Sequence, residues 1–232
     1  MKGMILLLLM TTFPLFSKPT ESRERYETAS GGALHYLLFE PDPGLLPPDR
    51  KRPLVLFLHG SGERGDDLDK VKKHGPPARF MKDDGLPFVL VAPQCPEGVW
   101  WNADDVIGLL EEVIGKHDID PQRVHLTGLS MGGFATWAIL AKKPDLFASA
   151  VPICGGGDPG TAARFKDVPI WAFHGVDDDV VPVGKTRAME EALRAAGARD
   201  LHATYYEGVG HDSWTRTYDN PAVYAWMMQR SR

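Results

Sequence analysis

The feature that most restricts the fold of this chain is five residues long. Gly128-Leu129-Ser130-Met131-Gly132 is a G-x-S-x-G motif set directly after the apolar run 124–129 and directly before the helical stretch 134–143. A strand that reaches a serine and turns at once into a helix forces that serine into a strained backbone conformation and lifts its side chain above the sheet. Glycines on both sides keep so sharp a turn free of clashes, and Gly133 adds room for close packing. Ser130 then stands at a helix N-terminus, where backbone donors and the macrodipole favour negative charge beside its oxygen. Serine is also a good helix cap. The strand before, the helix after and the flanking glycines favour the nucleophile over the cap.

The sequence around the motif alternates in the same way. The continuous apolar runs 54–58, 88–92, 124–129, 148–153, 170–173 and 203–206 suit strands buried on both faces. Between them, 104–116, 134–143 and 183–196 have helical spacing, the first with Val106, Leu109, Leu110 and Val113 on one face and Asp104 and Asp105 at its N-terminus. This pattern predicts a mostly parallel sheet with helices on both faces and right-handed connections. The runs 25–29 and 33–40 flank Ser30-Gly31-Gly32 and predict an opening antiparallel hairpin. About 15 residues separate Ile153 from Pro169, too few for a lid larger than one short helix, so the site is expected to be open.

Two glycine-rich loops complete the chemistry. His59-Gly60-Ser61-Gly62 ends the first central strand, and the backbone N–H groups of Ser61 and Met131 are the expected donors of an oxyanion hole. His59 reads as a strand-end residue that satisfies backbone groups. His211, in Gly208-Val209-Gly210-His211, follows the last strand, where a general base is required. Asp177, Asp178 and Asp179 share the turn after 170–173, and composition alone leaves the choice among them open. The order Ser, Asp, His is the one that accompanies a strand-to-helix nucleophile. Consecutive aspartates point in different directions, and the chain has no H-E-x-x-H spacing, so no metal and no cofactor is expected. Of the tryptophans near the site in sequence, Trp101 and Trp214 are candidates to bind substrate, while Trp100 stands evenly between core packing and binding.

A net charge of -5 gives no basic excess to hold a phosphate backbone, and nucleic acid is not an expected partner. Lys2 followed by the apolar run 4–10 reads as a secretory leader over residues 1–17, too short for stable membrane insertion, ahead of one catalytic domain at 18–232. Export is therefore expected. Cys95 and Cys154 are too few for a disulfide framework. They follow strands expected to lie about 14 Å apart, and two free thiols are predicted.

The segments 57–67 (FLHGSGERGDD), 92–96 (APQCP) and 128–133 (GLSMGG) resemble the lidless phospholipase/carboxylesterase and dienelactone-hydrolase-like groups of the α/β-hydrolase superfamily. The likeness runs from about Tyr26 to Trp226. Secreted feruloyl and acetyl esterases and polyhydroxybutyrate-depolymerase-like proteins share that layout. The resemblance implies a sheet of about eight strands and a serine carboxylesterase acting through an acyl-enzyme. Its pattern H-G-x-x-D-x-x-V-P falls on His174, Gly175, Asp178, Val181 and Pro182, which selects Asp178, and Gly210-His211 matches the base position. Dienelactone hydrolases proper use cysteine where this chain has Ser130, so that activity is not implied. The expected partner is an ester, small or polymer-linked. A lysophospholipase or acyl thioesterase with the same triad is the enzymatic alternative, and a non-catalytic secreted binding protein on the same fold is the alternative of another class.

Overall fold

The computed structural model describes residues 20–45, 50–80 and 86–232. The leader expected over 1–17 lies outside them. In chain order the strands are β1 (Thr20–Glu27), β2 (Ala33–Glu40), β3 (Arg52–Leu58), β4 (Val89–Pro93), β5 (Ile119–Leu129), β6 (Ser149–Ile153), β7 (Ile170–Gly175) and β8 (Leu201–Tyr206). The helices are α1 (Gly75–Phe80), α2 (Ala103–Lys116), α3 (Met131–Lys142), α4 (Gly184–Ala195), α5 (Trp214–Tyr218) and α6 (Pro221–Met228). The strands form one sheet in the order β1-β2-β4-β3-β5-β6-β7-β8. β1 and β2 pair antiparallel, β2 runs antiparallel to β4, and every later pairing is parallel.

The central strands β3 and β4 are almost wholly apolar because both of their faces are covered. Leu54, Leu56 and Leu58 of β3 face a core shared with Val106, Leu109, Leu110 and Val113 of α2, Trp137 and Leu140 of α3, and Met189 and Leu193 of α4. Val55 and Phe57 face the other way, toward Phe80 of α1, Tyr218 of α5 and Val223, Tyr224 and Met227 of α6. Alternate side chains of one strand thus fill two cores, and each fully buried Leu, Val or Phe contributes roughly 1.5–3 kcal/mol over its exposed state.

Two strands begin earlier than their apolar content indicates. β1 starts at Thr20 rather than Arg25 and carries exposed Glu21-side charges such as Arg23 and Arg25 along the edge of the sheet, a composition that discourages pairing with another chain. β5 starts at Ile119, ahead of Val124, because a register shift against β3 accommodates Pro121-Gln122-Arg123. Cys95 and Cys154 are buried free thiols at the ends of β4 and β6, with β3 and β5 between those strands, as expected. Between β6 and β7 the chain forms only the short 3-10 helix Pro159–Arg164. Among the described residues no helix is long and apolar enough to cross a membrane.

The first turn of α3 sits directly on the strand ends. A Cβ on Gly132 would overlap the carbonyl oxygen of Leu58, and one on Gly128 would overlap that of Gly132. Gly115, near the end of α2, has nothing within 4 Å of its would-be Cβ. Gly132→Ala is therefore expected to destabilise the protein by about 1–3 kcal/mol, and Gly115→Ala to stabilise it by up to about 1 kcal/mol. Chemical unfolding of the two variants measures both, and equal effects would contradict the packing described.

Candidate active site

The C-terminal ends of the parallel strands gather the polar residues. Ser130 follows β5 with φ 51° and ψ -116°, a conformation in which a side chain is strained, and it makes no side-chain cap to α3. Its backbone is fixed from both directions: its N–H donates to Ile153 O at 3.0 Å, and its carbonyl accepts Phe134 N–H at 3.0 Å. The hydroxyl instead lies 2.9 Å from His211 Nε2. His211 Nδ1 lies 2.8 Å from Asp178 Oδ2. Facing a carboxylate, Nδ1 carries the ring proton, which leaves Nε2 free to accept from the serine hydroxyl.

The Asp178 carboxylate has a partner on every side. Its Oδ1 accepts the Val180 and Val181 N–H groups at 2.9 and 2.8 Å, while Oδ2 faces His211 at 2.8 Å and His174 Nε2 at 3.2 Å. Burial alone would raise its pKa. The hydrogen bonds from His211, Val181 and Val180 outweigh burial and hold it below the usual aspartate value. Asp177 and Asp179 do not share these contacts.

The sequence marks His174 only as the start of the H-G-x-x-D pattern and gives it no role; its ring is wholly buried behind Asp178. Nδ1 is 2.7 Å from Thr186 Oγ1, and Nε2 is 2.8 Å from Val181 O. Burial lowers its pKa, so the ring is neutral, and its proton sits on Nε2 between two acceptors.

The loop after β3 is clamped beside Ser130, to the point that a Cβ on Gly60 would lie 3.6 Å from that of Ser130. His59 is neutral, burial pushing its pKa down to about 4. It accepts Cys95 N–H at Nε2 (2.9 Å) and donates from Nδ1 to Gly60 O (2.6 Å). Buried Glu63 accepts the Gly60 N–H at 3.1 Å, and Gln94 Nε2 donates to Glu63 O and Asp67 O, each at 2.8 Å. Neither Glu63 nor Gln94 stands out in the sequence. Ser61 opens the short helical turn that follows, and Met131 N–H, the first of α3, has no intrahelical acceptor.

The three tryptophans near the site differ in their surroundings. Trp101 is half-buried, its indole N–H donating to His59 O at 3.1 Å and its ring 4.8 Å from that of His59, so it braces the loop. Trp214 stands edge-on to His211 at 5.2 Å and touches His74 at 5.6 Å, forming a wall beside the base. Trp100 is the exposed indole, at 65%.

Cys154, Asp178 and His211 bring ligand-type atoms within 4.8 Å of one another. Both nitrogens of His211 already have partners, and burial pushes the Cys154 thiol up to about 12, so the set is ill-suited to a metal.

Residues 100–170 match the prolyl oligopeptidase family. The chain is 29% identical over 136 residues to a bifunctional acetylxylan esterase/xylanase of Neocallimastix patriciarum, covering 56% of this chain and 20% of that protein. It is 29% identical over 164 residues to a poly(3-hydroxybutyrate) depolymerase of Ralstonia pickettii, covering 62% and 33% respectively. The chain thus spans no more than a third of the length of these two relatives. The crystal structure of a thermostable esterase superposes with a TM-score of 0.80 at 35% identity, over 91% of this chain and 63% of that one. The chain has the α/β-hydrolase fold. Within an α/β-hydrolase sheet, the end of β5 and the loops after β7 and β8 are where Ser130, Asp178 and His211 stand.

The depressed pKa of Asp178 has a signed consequence. The folded value lies below that of an unfolded aspartate, near 3.9. Ionised Asp178 therefore stabilises the fold above about pH 4, and that contribution is lost as the pH falls through the folded value. The stability difference between wild type and Asp178→Asn is expected to be constant at neutral pH and to shrink below about pH 4. Denaturant unfolding across pH 3–7 measures it, and a difference independent of pH would contradict the assignment.

Proposed function

We propose that the chain is a serine carboxylic ester hydrolase working through an acyl-enzyme on Ser130, and that its substrates are ester groups borne by carbohydrate. The observation that carries the proposal is the unbroken contact from Ser130 Oγ to His211 at 2.9 Å and from His211 to Asp178 at 2.8 Å, with the serine on a strained turn at a helix N-terminus.

In the first step His211 Nε2 takes the hydroxyl proton while Ser130 Oγ bonds to the ester carbonyl carbon. The amides of Ser61 and Met131 receive the negative oxygen, each such donor being worth about 3 kcal/mol. Asp178, ionised and pinned by two backbone amides, holds the imidazolium in register. Collapse of the intermediate breaks the bond to the alcohol, which leaves with the proton from His211. Water, deprotonated by the same ring, then attacks the acyl carbon and releases the acid and free Ser130.

Support for an ester in place of another acyl compound comes from the relatives, two of which are named for ester cleavage in polymers. The short connection between β6 and β7 leaves the site open to a polymer. The leader-like residues 1–17 support export, with 18–232 as the catalytic domain.

Ser130→Ala is expected to lower kcat/KM for p-nitrophenyl acetate by at least about 10³-fold with the fold intact. A panel of aryl esters and acyl thioesters of increasing chain length, run on the wild type, should favour short acyl and aryl groups on oxygen. Activity of Ser130→Ala within tenfold of wild type would refute the nucleophile, and preference for long-chain thioesters would move the assignment to a thioesterase.

A further inference from the structure

Four large hydrophobic side chains are exposed among the described residues, and two of them, Val99 at 47% and Trp100 at 65%, are adjacent on the loop that follows β4. This loop is held in place. Arg64 Nη1 donates to Val99 O at 3.2 Å, and the next residue, Trp101, is tied to His59 O at 3.1 Å. The outward indole is thus presented by a backbone fixed on both sides, which limits the ordering cost of binding to it.

Trp100 is also joined to the proposed nucleophile. Its ring meets Phe134 edge-on at 6.0 Å, and Phe134 lies in the first turn of α3, its N–H on the Ser130 carbonyl. Beside the indole opens a cavity of about 170 Å³, between the β1–β2 turn and the loop after β4, lined in part by Thr28, Ser30, Pro96, Trp100, Asn102 and Asp105. That volume is below the roughly 300–1,000 Å³ of sites for drug-sized molecules, so it suits a single ring. It lies at the same end of the sheet as Ser130, and β4 is two strand spacings, about 10 Å, from β5.

We infer that Trp100 and this cavity form a subsite for a neutral sugar ring of the chain that carries the ester, an inference that rests on the esterase reading of Ser130. The rim decides the chemistry. Ser30 Oγ lies 3.1 Å from Asp105 Oδ2 and 2.8 Å from Thr28 Oγ1, so the wall offers a carboxylate and two hydroxyls. Sugar hydroxyls donate to a carboxylate, and the polarised C–H face of a sugar suits the negative face of an indole. A polyester has carbonyl acceptors but no donors, so covering Asp105 with it would strip water from the carboxylate and add no donor to the one from Ser30. An anionic sugar is disfavoured beside the Asp105 carboxylate, whereas neighbouring Asp104 is paired with Lys142.

The test uses Ser130→Ala protein, which leaves ligands uncleaved, with calorimetric titration of neutral xylo-, cello- and manno-oligosaccharides of six units and of oligogalacturonate. Sedimentation with poly(3-hydroxybutyrate) granules probes the polyester. At least one neutral series should bind and oligogalacturonate should not. Adding Trp100→Ala should weaken binding tenfold or more, Trp100→Phe should recover part of it, and Asp105→Asn should also weaken it. In the active enzyme, Trp100→Ala should lose at least tenfold more activity on an acetylated oligosaccharide than on p-nitrophenyl acetate. Absence of binding by every neutral series, affinity unchanged by Trp100→Ala, or a Trp100 effect confined to polyester granules would each overturn the subsite. Fluorophosphonate labelling separates the two claims. Labelled enzyme that binds no neutral sugar defeats the subsite and leaves the esterase standing, whereas unlabelled enzyme defeats the esterase and leaves calorimetry to decide the subsite.

Discussion

The structure depends on how closely the first turn of α3 approaches the ends of the strands beneath it. Gly128, Gly132 and Gly133 leave no space there for a Cβ: the carbonyls of Leu58, Gly132 and Ile153 already occupy it. This contact fixes where the helix begins, and a helix beginning there holds Ser130 at φ 51°. A strained backbone of this kind costs on the order of 1–3 kcal/mol and persists only where the surroundings over-determine it. Here the surroundings are the β5–α3 junction, the Ser130 N–H bond to Ile153 and the two cores on either face of the sheet. Stability supplied by the buried strands thereby holds one side chain out of its relaxed conformation and toward His211.

The polar residues behind Ser130 are arranged so that each protonation state is dictated by its partners. Asp178 receives two backbone amides and two imidazole nitrogens, which keep it ionised despite burial. His174 and His59 are neutral because burial disfavours their charge, and their acceptors assign the remaining proton to one nitrogen. One of these rings supports Asp178 and the other supports the loop bearing Ser61. Trp101, Glu63 and Gln94 add bonds to that loop, so both candidate oxyanion donors sit on rigid backbone.

Much of this was legible in the sequence because it rests on local rules. Continuous apolar runs announce strands buried on both faces, and 54–58 matches the buried part of β3 closely. G-x-S-x-G between a strand and a helix locates the turn at Ser130. Residues 20–24 of β1 gave no strand signal, since an edge strand with little burial needs no apolar pattern. Helix α1 was not anticipated, and its two prolines fall in its first turn, where a missing N–H costs nothing. The roles of His174, Glu63 and Gln94 were illegible for another reason: they consist of contacts made across the fold, as with Gln94, which bonds carbonyls 31 and 27 residues away. Trp100 and Trp101 are neighbours with opposite fates, and only the path of the loop after β4 shows which one faces solvent.

The central claim is that the strained serine is a nucleophile activated by His211. It is tested most directly by reacting the purified protein with diisopropyl fluorophosphate and locating the adduct by peptide mass spectrometry, in the wild type and in His211→Ala. The account predicts one adduct, on Ser130, formed rapidly in the wild type and slowed by orders of magnitude without the imidazole. An adduct on Ser61, or folded wild-type protein that acquires none, would contradict it.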